Sequence, residues 1–302
     1  MSENILTVKD LKTYFYTASG IAKAVDGVSF NIAKGETMGI VGESGSGKSV
    51  TSSSIIRLLP PRTGKIVGGS IEFEGKDVLA LSKKELNDFR GKDIAVVFQD
   101  PMTSLDPVFK IGKQMTEMIM AHQNVTKDEA WKMAVEALSK VGIPEPEKRM
   151  NSYPYELSGG MCQRVIIAMA VCCKPKLIIA DEPTTALDVT VQAQVLELLK
   201  ELQRDMDTAI LLITHNLGVV WEMCDKVMVM YAGNTVEFTD TKTLYSNPRH
   251  PYTWGLLDSM PKLSDESKGE LKTIPGTPPD LRLTGKCCNF YNRCPYVTEA
   301  CT

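Results

Sequence analysis

The sequence lacks the features that would place it in a membrane or on a secretory route. Its N-terminus carries neither a basic nor an apolar stretch, so no secretion signal is expected. The longest apolar run extends from Val165 to Cys173, far short of the roughly 20 residues that a transmembrane helix needs. Any membrane role must come through a partner, and we expect a cytoplasmic chain.

The sequence also lacks an excess of positive charge, internal repeats and low-complexity tracts. A net charge of −3 argues against a nucleic-acid surface. The hydrophobic content of 43% and the charged content of 24% are ordinary for a globular protein. A chain of 302 residues can hold one large domain, or a domain and an appendage.

Apolar runs and helical patterns alternate along much of the chain. Ile5 to Val8 and residues 24–32, 37–41, 70–73, 94–98, 177–180, 209–214 and 226–231 predict strands. Residues 49–59 and 191–204 predict helices that follow strands, whereas residues 110–175 are typical of helices alone. One apolar helix face there is formed by Ala130, Ala134, Ala137, Leu138 and Val141. The predicted fold class is α/β, with a parallel sheet and a helical insertion.

A glycine-rich segment follows the strand at 37–41 and matches the pattern G-x-x-x-x-G-K-[ST]. It consists of Gly42, Glu43, Ser44, Gly45, Ser46, Gly47, Lys48 and Ser49. Glycines let backbone N–H groups turn inward around phosphate oxygens. We expect Lys48 to meet the β and γ phosphates and the Ser49 hydroxyl to bind Mg²⁺.

Polar side chains stand at the ends of three other predicted strands. Asp181 ends the run 177–180 and is a candidate Mg²⁺ ligand, and Glu182 is a candidate general base for an attacking water. His215 follows the strand at 209–214, where a sensor of the γ-phosphate would be needed. Gln99 follows the strand at 94–98 and could touch Mg²⁺ or the attacking water. His122 and His250 suggest no chemistry.

A second glycine-rich segment is the most informative feature of the chain. It is the run Ser158, Gly159, Gly160 and Met161. Its glycines leave backbone N–H groups bare ahead of a helix, which makes a second anion site. Two phosphate-binding segments in one chain indicate a nucleotide that is shared between two subunits.

Together these motifs resemble the ATP-binding subunits of ABC transporters. Residues 42–49 are similar to the Walker A motif, 177–182 to Walker B, 157–161 to the ABC signature, Gln99 to the Q-loop, Asp188 to the D-loop and His215 to the switch histidine. The resemblance implies a RecA-like parallel sheet with an antiparallel β subdomain, and a head-to-tail dimer that hydrolyses ATP. It also implies an aromatic residue stacked on adenine, for which Tyr14, Phe15 and Tyr16 compete, with Tyr14 as the first choice.

The segments 98–107, 153–161 and 250–253 are similar to the dipeptide/oligopeptide (Dpp/Opp) importer ATPases of the D type. This resemblance implies an ABC ATPase domain at 1–250, with a helical subdomain at about 110–175, and a C-terminal extension at 251–302. It implies an F-type paralogous ATPase, two membrane permeases that contact residues near 100–112, and an extracellular solute-binding protein. The chain would be peripheral, at the cytoplasmic face of the membrane.

Three alternatives compete with peptide import. Nickel or metal-chelate importers share much of the pattern. Soluble ABC ATPases of DNA repair or translation carry a long coiled coil or two ATP cassettes in one chain, whereas this sequence has one Walker A motif and a short insertion. The third alternative is a regulatory nucleotide-binding module without turnover. The presence of both Glu182 and His215 argues against it.

The last sixteen residues contain four cysteines, Cys287, Cys288, Cys294 and Cys301. Their spacing alone allows a metal site, disulfides or unpaired thiols, and a cytosolic redox potential argues against disulfides. The run 288–295 resembles the C-x-F-x-x-R-C-P tail of peptide-importer ATPases, which implies a 4Fe-4S cluster on these cysteines. The family usually continues to a further cysteine, so either Cys287 is the fourth ligand or the ligand set is incomplete in this chain.

Overall fold

A computed structural model of the chain describes residues 3–185, 187–260, 273–285 and 287–301. In these residues the strands are β1 (Asn4–Thr17), β2 (Gly20–Ala33), β3 (Thr37–Val41), β4 (Gly64–Phe73), β5 (Lys76–Asp77), β6 (Ile94–Val97), β7 (Leu177–Asp181), β8 (Ala209–Ile213), β9 (Lys226–Tyr231) and β10 (Asn234–Asp240).

The α-helices of the same residues are α1 (Lys48–Ile55), α2 (Lys83–Asp88), α3 (Pro101–Ser104), α4 (Ile111–His122), α5 (Lys127–Lys140), α6 (Pro146–Arg149), α7 (Gly159–Val171), α8 (Val189–Met206), α9 (Leu217–Met223), α10 (Thr241–Ser246) and α11 (Pro251–Asp258). Short 3-10 turns lie at Val78–Ala80, Pro154–Glu156, Tyr291–Arg293 and Glu299–Cys301.

The chain forms two compact units. The first consists chiefly of Leu81–Leu211, together with Lys34–Glu36. The second consists of Asn4–Ala33, Thr37–Ala80 and the described residues from Leu212 on. Each unit therefore combines segments that are distant in sequence.

Parallel strands and helices build the first unit. β6 and β7 pair in parallel, with Ile94 opposite Leu177 and Val97 opposite Ala180, and β8 follows β7 in the strand order. The strands are buried along nearly their whole length, as expected for a sheet that is covered on both faces. Helices α4, α5 and α7 pack on one another. The helical pattern predicted for 110–175 is confirmed.

Helix α5 shows how local signals and packing agree. It begins at a capping box in which Thr126 accepts from the Glu129 N–H and Glu129 accepts from the Thr126 N–H. Its predicted apolar face is buried, with Ala134 and Leu138 fully enclosed. The cap and the apolar face thus fix both the start of the helix and its orientation.

Two sheets build the second unit. The first sheet is antiparallel and has the order β2-β1-β4-β5. In the second, β3 pairs in parallel with β9, and β10 pairs with β9 in antiparallel orientation. Parallel and antiparallel strands are therefore mixed, and β10 was missing from the sequence-based expectation.

The strands β1 and β2 are much longer than the patterns at residues 5–8 and 24–32 predicted. Register shifts interrupt their pairing between Val8 and Leu11 and again between Thr13 and Tyr14. Asp10 has a φ of 46°, in the left-handed region. Such bulges break the alternation of buried and exposed side chains, which is why a period-two pattern stops at Val8 although the strand continues.

Helix α1 is shorter than the pattern at 49–59 predicted. It ends at Ile55, and Arg57 then adopts a φ of 53°. Leu58 and Leu59 separate this residue from Pro60 and Pro61, and a proline restricts the residue before it away from the helical region, so no helix resumes there. The apolar residues after Ile55 thus belong to a turn rather than to another helical turn.

Within the described residues, no helix has both the length and the apolar character that crossing a bilayer requires.

The packing of α5 can be tested at Leu138. Leu138→Ala removes a fully buried side chain, so we expect the free energy of unfolding to fall by about 3 kcal/mol. Ser139→Ala, on the exposed face of the same helix, should change it by less than about 0.5 kcal/mol. Urea denaturation followed by circular dichroism measures both, and equal losses would contradict the orientation of α5.

Candidate functional site

The glycine-rich loop at residues 42–49 joins β3 to α1 in the second unit. A Cβ atom on Gly42 would lie 2.2 Å from the Met230 carbonyl oxygen. A Cβ atom on Gly47, whose φ is 105°, would lie 2.3 Å from the Ala24 carbonyl oxygen. Because both neighbours are backbone atoms that cannot rotate away, only glycine fits at these two positions.

The donors of this loop suit a phosphate group. Lys48 is buried, and its Nζ donates to the carbonyl oxygens of Gly42 and Glu43 over 2.8 and 3.0 Å. Ser46 Oγ is buried and has no hydrogen-bond partner among the described residues. A buried hydroxyl without a partner is costly unless a ligand satisfies it. With the N-terminus of α1 beside it, the loop fits a phosphate-bearing ligand.

The three candidate aromatic residues at the end of β1 have different surroundings. The Tyr14 hydroxyl donates to Asp26 Oδ1 over 2.8 Å, and burial together with Asp26 raises the pKa of Tyr14 to about 12. Phe15 lies beside Gly64. Tyr16 is exposed, and the Lys65 ammonium lies 5.3 Å from its ring centroid. These contacts select none of the three, and Tyr14 stays a prediction.

His215 lies in the second unit, between β8 and α9. Its side chain is exposed. The preceding residue, Thr214, donates its N–H to the carbonyl oxygen of Ile40 in β3 over 3.1 Å. His215 thus directly follows a residue that is bonded to the strand leading into the glycine-rich loop. His250, by contrast, caps α11 by accepting from the Tyr252 N–H, and burial lowers its pKa.

The first unit brings Gln99 and Glu182 together. Gln99 Nε2 donates to Glu182 Oε2 over 3.1 Å, and the Thr185 hydroxyl donates to the same oxygen over 3.0 Å. Gln99 follows β6, and Glu182 follows Asp181 at the end of β7. Because β6 and β7 are parallel neighbours, their carboxyl ends lie at one edge. Thr185 is a member of this cluster that the sequence analysis did not identify.

The second glycine-rich segment opens α7, also in the first unit. Ser158 caps the helix by accepting from the Met161 N–H over 3.3 Å. A Cβ atom on Gly160 would lie 2.7 Å from Val191 Cγ1 of α8, whereas one on Gly159 would meet nothing within 4 Å. Packing against α8 therefore requires a glycine at position 160 but not at position 159. Asp188 caps α8 by accepting from the Val191 N–H.

The predicted iron–sulfur site is wrong. Among the described residues, no group of three or more His, Cys, Asp or Glu side chains is arranged to hold a metal ion. Cys287 and Cys288 are exposed. The sulfur of Cys294 accepts from the Tyr296 N–H, and that of Cys301 lies 3.5 Å from the Thr298 hydroxyl. The sulfurs of Cys294 and Cys301 thus make local contacts within their own turns.

Two residues of the C-terminal segment, meaning the described residues from Pro251 on, contact the glycine-rich loop. Neither was predicted from the sequence. Arg293 forms an ion pair with Glu43, and the Tyr252 hydroxyl accepts from the Glu43 N–H. Both stand inside motifs that carry the family resemblance, 250–253 and 288–295. That position was their only signal in the sequence, and the neighbouring cysteines favoured a metal site instead.

Two family patterns match the sequence. The family described as ABC transporter matches residues 25–185. The family described as Oligopeptide/dipeptide transporter, C-terminal region, matches residues 236–301.

Relatives with similar sequences cover nearly all of the chain. The oligopeptide transport ATP-binding protein OppD of Bacillus subtilis is 56% identical over 98% of this chain and 82% of its own length. OppD of Escherichia coli is 51% identical over 100% of this chain and 88% of its own length. The dipeptide transport ATP-binding protein DppD of B. subtilis is 51% identical over 99% of this chain and 89% of its own length. None of these names mentions an iron–sulfur cluster.

Solved structures share the fold. A dimeric ATP-binding cassette in a post-hydrolysis state, bound to ADP and Pi, superposes with a TM-score of 0.70 at 27% identity, over 78% of this chain and 98% of its own. The cbiO1 protein of Clostridium perfringens, part of the cbiONQ ABC transporter complex, superposes with a TM-score of 0.68 at 29% identity. The superposition covers 82% of this chain and 92% of cbiO1.

The different surroundings of Gly159 and Gly160 can be tested by a matched pair of substitutions. Gly160→Ala forces a methyl group against Val191, so we expect it to lower the free energy of unfolding by about 1–3 kcal/mol. Val191→Ala should restore much of that loss in the double variant. Gly159→Ala meets open space and should leave stability unchanged. Thermal unfolding measures all four proteins, and no rescue by Val191→Ala would refute the contact.

Proposed function

The chain belongs to the ATP-binding proteins of the ABC transporter family, and on this basis we propose that it energises the import of short peptides across a membrane. ATP hydrolysis is the activity of this family. The observation that carries the proposal is similarity over the full chain, C-terminal region included, to relatives named for oligopeptide and dipeptide transport.

We assign ATP binding to the glycine-rich loop. Lys48 would hold the β and γ phosphates, and the backbone N–H groups of residues 42–49 would surround them. The unpartnered Ser46 hydroxyl supports a ligand at this loop. Mg²⁺, held by Ser49, Asp181 and Gln99, would neutralise charge on the phosphates. Tyr14 would stack on adenine, with Phe15 and Tyr16 as the alternatives.

Glu182 is our proposed general base. Its carboxylate accepts from Gln99 and Thr185, so two donors orient it while a water gives up its proton to it. The amide of Gln99 would help to place the same water. His215 would sense the γ-phosphate from its exposed position after β8.

The signature residues Ser158, Gly159, Gly160 and Met161 would complete an ATP site in a second ATP-binding subunit. Gly159 supports this role, because nothing lies within 4 Å of the position that a Cβ atom would occupy there and a phosphate could approach its backbone N–H. Asp188, in the D-loop, would communicate between the two subunits. A related cassette is a dimer in the structure with ADP and Pi.

Glu182→Gln tests the assignment of the base. The amide cannot accept the proton of the water, so we expect ATP hydrolysis to fall about 100-fold or more while ATP binding persists. Glu201→Gln, an exposed glutamate of α8, serves as the control and should retain activity. Phosphate release and equilibrium binding of labelled ATP measure the two properties. Unchanged hydrolysis in Glu182→Gln would show that another group is the base.

We propose two membrane permeases and a solute-binding protein as partners, with the chain at the cytoplasmic face of the membrane. The permease contact would use residues near 100–112. Four large apolar side chains are exposed there or beside it, Phe98, Met102, Val108 and Phe109, and they are available for contact with a partner. The second ATP-binding subunit would be an F-type paralogue, and 251–302 would form the C-terminal extension of an ATPase domain at 1–250.

Reconstitution tests cargo and partner together. Proteoliposomes that contain the chain, its permeases and the paralogue should accumulate a labelled tripeptide when the binding protein and ATP are supplied. Uptake of nickel instead of peptide would favour the metal-chelate alternative. Full activity when the paralogue is omitted would show that two copies of this chain suffice.

A further inference from the structure

Arg293 is enclosed between the C-terminal segment and the glycine-rich loop. Its side chain is only 5% exposed. Nη1 lies 2.7 Å from Glu43 Oε2, and Nη2 lies 3.0 Å from Glu43 Oε1. This is the two-point geometry that a guanidinium and a carboxylate form, and that a lysine cannot reproduce.

The other donors of Arg293 are also used. Nε donates to the Pro275 carbonyl oxygen over 2.9 Å, Nη2 to the Ile274 carbonyl oxygen over 3.2 Å, and Nη1 to the Tyr231 hydroxyl over 3.3 Å. With the two bonds to Glu43, all five N–H groups of the guanidinium have acceptors. The side chain thus joins the segment at 274–275 to Glu43 in one rigid arrangement.

Glu43 is held through its backbone as well. Its N–H donates to the hydroxyl of Tyr252, a fully buried residue of α11, over 2.9 Å. The rings of Tyr252, Tyr231 and Phe290 pack with centroids 4.6 to 5.4 Å apart. Burial raises the pKa of Tyr252, so its hydroxyl stays neutral. Both ends of Glu43 are therefore fixed by residues from 231 onward.

The position of Glu43 matters because other loop residues bond to it. Its carbonyl oxygen accepts from Lys48 Nζ over 3.0 Å and from the Ser46 N–H over 3.2 Å. Any shift of Glu43 would move the acceptor that orients the ammonium group and the residue that carries the unpartnered hydroxyl. Arg293 is thus connected to Lys48 and Ser46 through a single residue, Glu43.

We propose that Arg293 is a positioning residue for the glycine-rich loop, through which the C-terminal segment sets the affinity for nucleotide phosphates. The inference rests on the ATP-binding role proposed above. A cavity of about 160 Å³ lies between loop residues Glu43 to Ser46 and Pro278, Pro279 and Leu281 of the same segment. The loop therefore adjoins the C-terminal segment at these residues as well as at Arg293.

The test compares arginines of one segment in the full chain. Arg293→Gln removes the charge and the fork, so we expect the Kd for Mg·ATP to rise about tenfold, equal to about 1.4 kcal/mol. Arg293→Lys keeps the charge without the fork and should lie between. Arg282→Gln is the matched control, because Arg282 pairs with Asp280 and donates to the Ser19 carbonyl oxygen, and neither partner belongs to the loop. Its Kd should stay within about twofold of the original.

A double-mutant cycle distinguishes a role of Arg293 in positioning Glu43 from a role in holding only the C-terminal segment in place. Glu43→Gln alone and with Arg293→Gln should give non-additive changes in Kd, the double variant binding no more weakly than Arg293→Gln. Thermal unfolding without nucleotide shows whether each variant is folded at the assay temperature. If Arg293→Gln is unfolded there, the Kd values of Arg293→Lys and Glu43→Gln test the proposal instead.

The proposal would be overturned if the folded Arg293 variants bound Mg·ATP with the Kd of the parent chain. It would also be overturned if the changes in Kd from Glu43→Gln and Arg293→Gln were additive. A parent chain that binds no Mg·ATP would instead refute the ATP-binding role.

Discussion

The close approach of backbone to backbone around the glycine-rich loop is the constraint on which the second unit depends. The loop passes so near the carbonyl oxygens of Met230 and Ala24 that no side chain fits at Gly42 or Gly47. This approach depends on β3 and β9 being parallel neighbours and on Ala24, near the start of β2, lying beside the loop. The loop is itself irregular, and these neighbouring strands limit the course of its backbone. Within it the buried Ser46 hydroxyl has no hydrogen-bond partner among the described residues.

The C-terminal segment adds a second level of constraint to the same loop. Glycines permit the loop conformation, but they have no side chain with which to anchor it. Glu43 supplies the missing anchor because both its backbone and its carboxylate are bonded, to Tyr252 and Arg293. The segment whose cysteines suggested a metal site is thus connected to the loop by a tyrosine and an arginine. The rings of Tyr231 and Phe290 lie beside the Arg293 guanidinium and help to bury it.

The first unit meets its requirements by other means. Parallel pairing of β6 with β7 brings Gln99 and Glu182 into contact although they are far apart in sequence. The two glycines that open α7 differ in role, since Gly160 allows α8 to pack closely, whereas the position of a Cβ atom on Gly159 is open space. A pattern of two adjacent glycines cannot distinguish these roles, because the distinction depends on Val191 of a neighbouring helix.

Local patterns in the sequence were sufficient for the α/β class and for the buried face of α5, although they missed β10. They succeeded because helix periodicity, caps and glycine-rich turns are decided within a few neighbouring residues. They failed where a bulge in β1 broke the alternation, where α1 stopped before two prolines, and where clustered cysteines suggested a metal. Only the tertiary structure paired Arg293 with Glu43, which are 250 positions apart. A contact over that separation is decided by how buried side chains pack, and no spacing rule reaches so far along the chain.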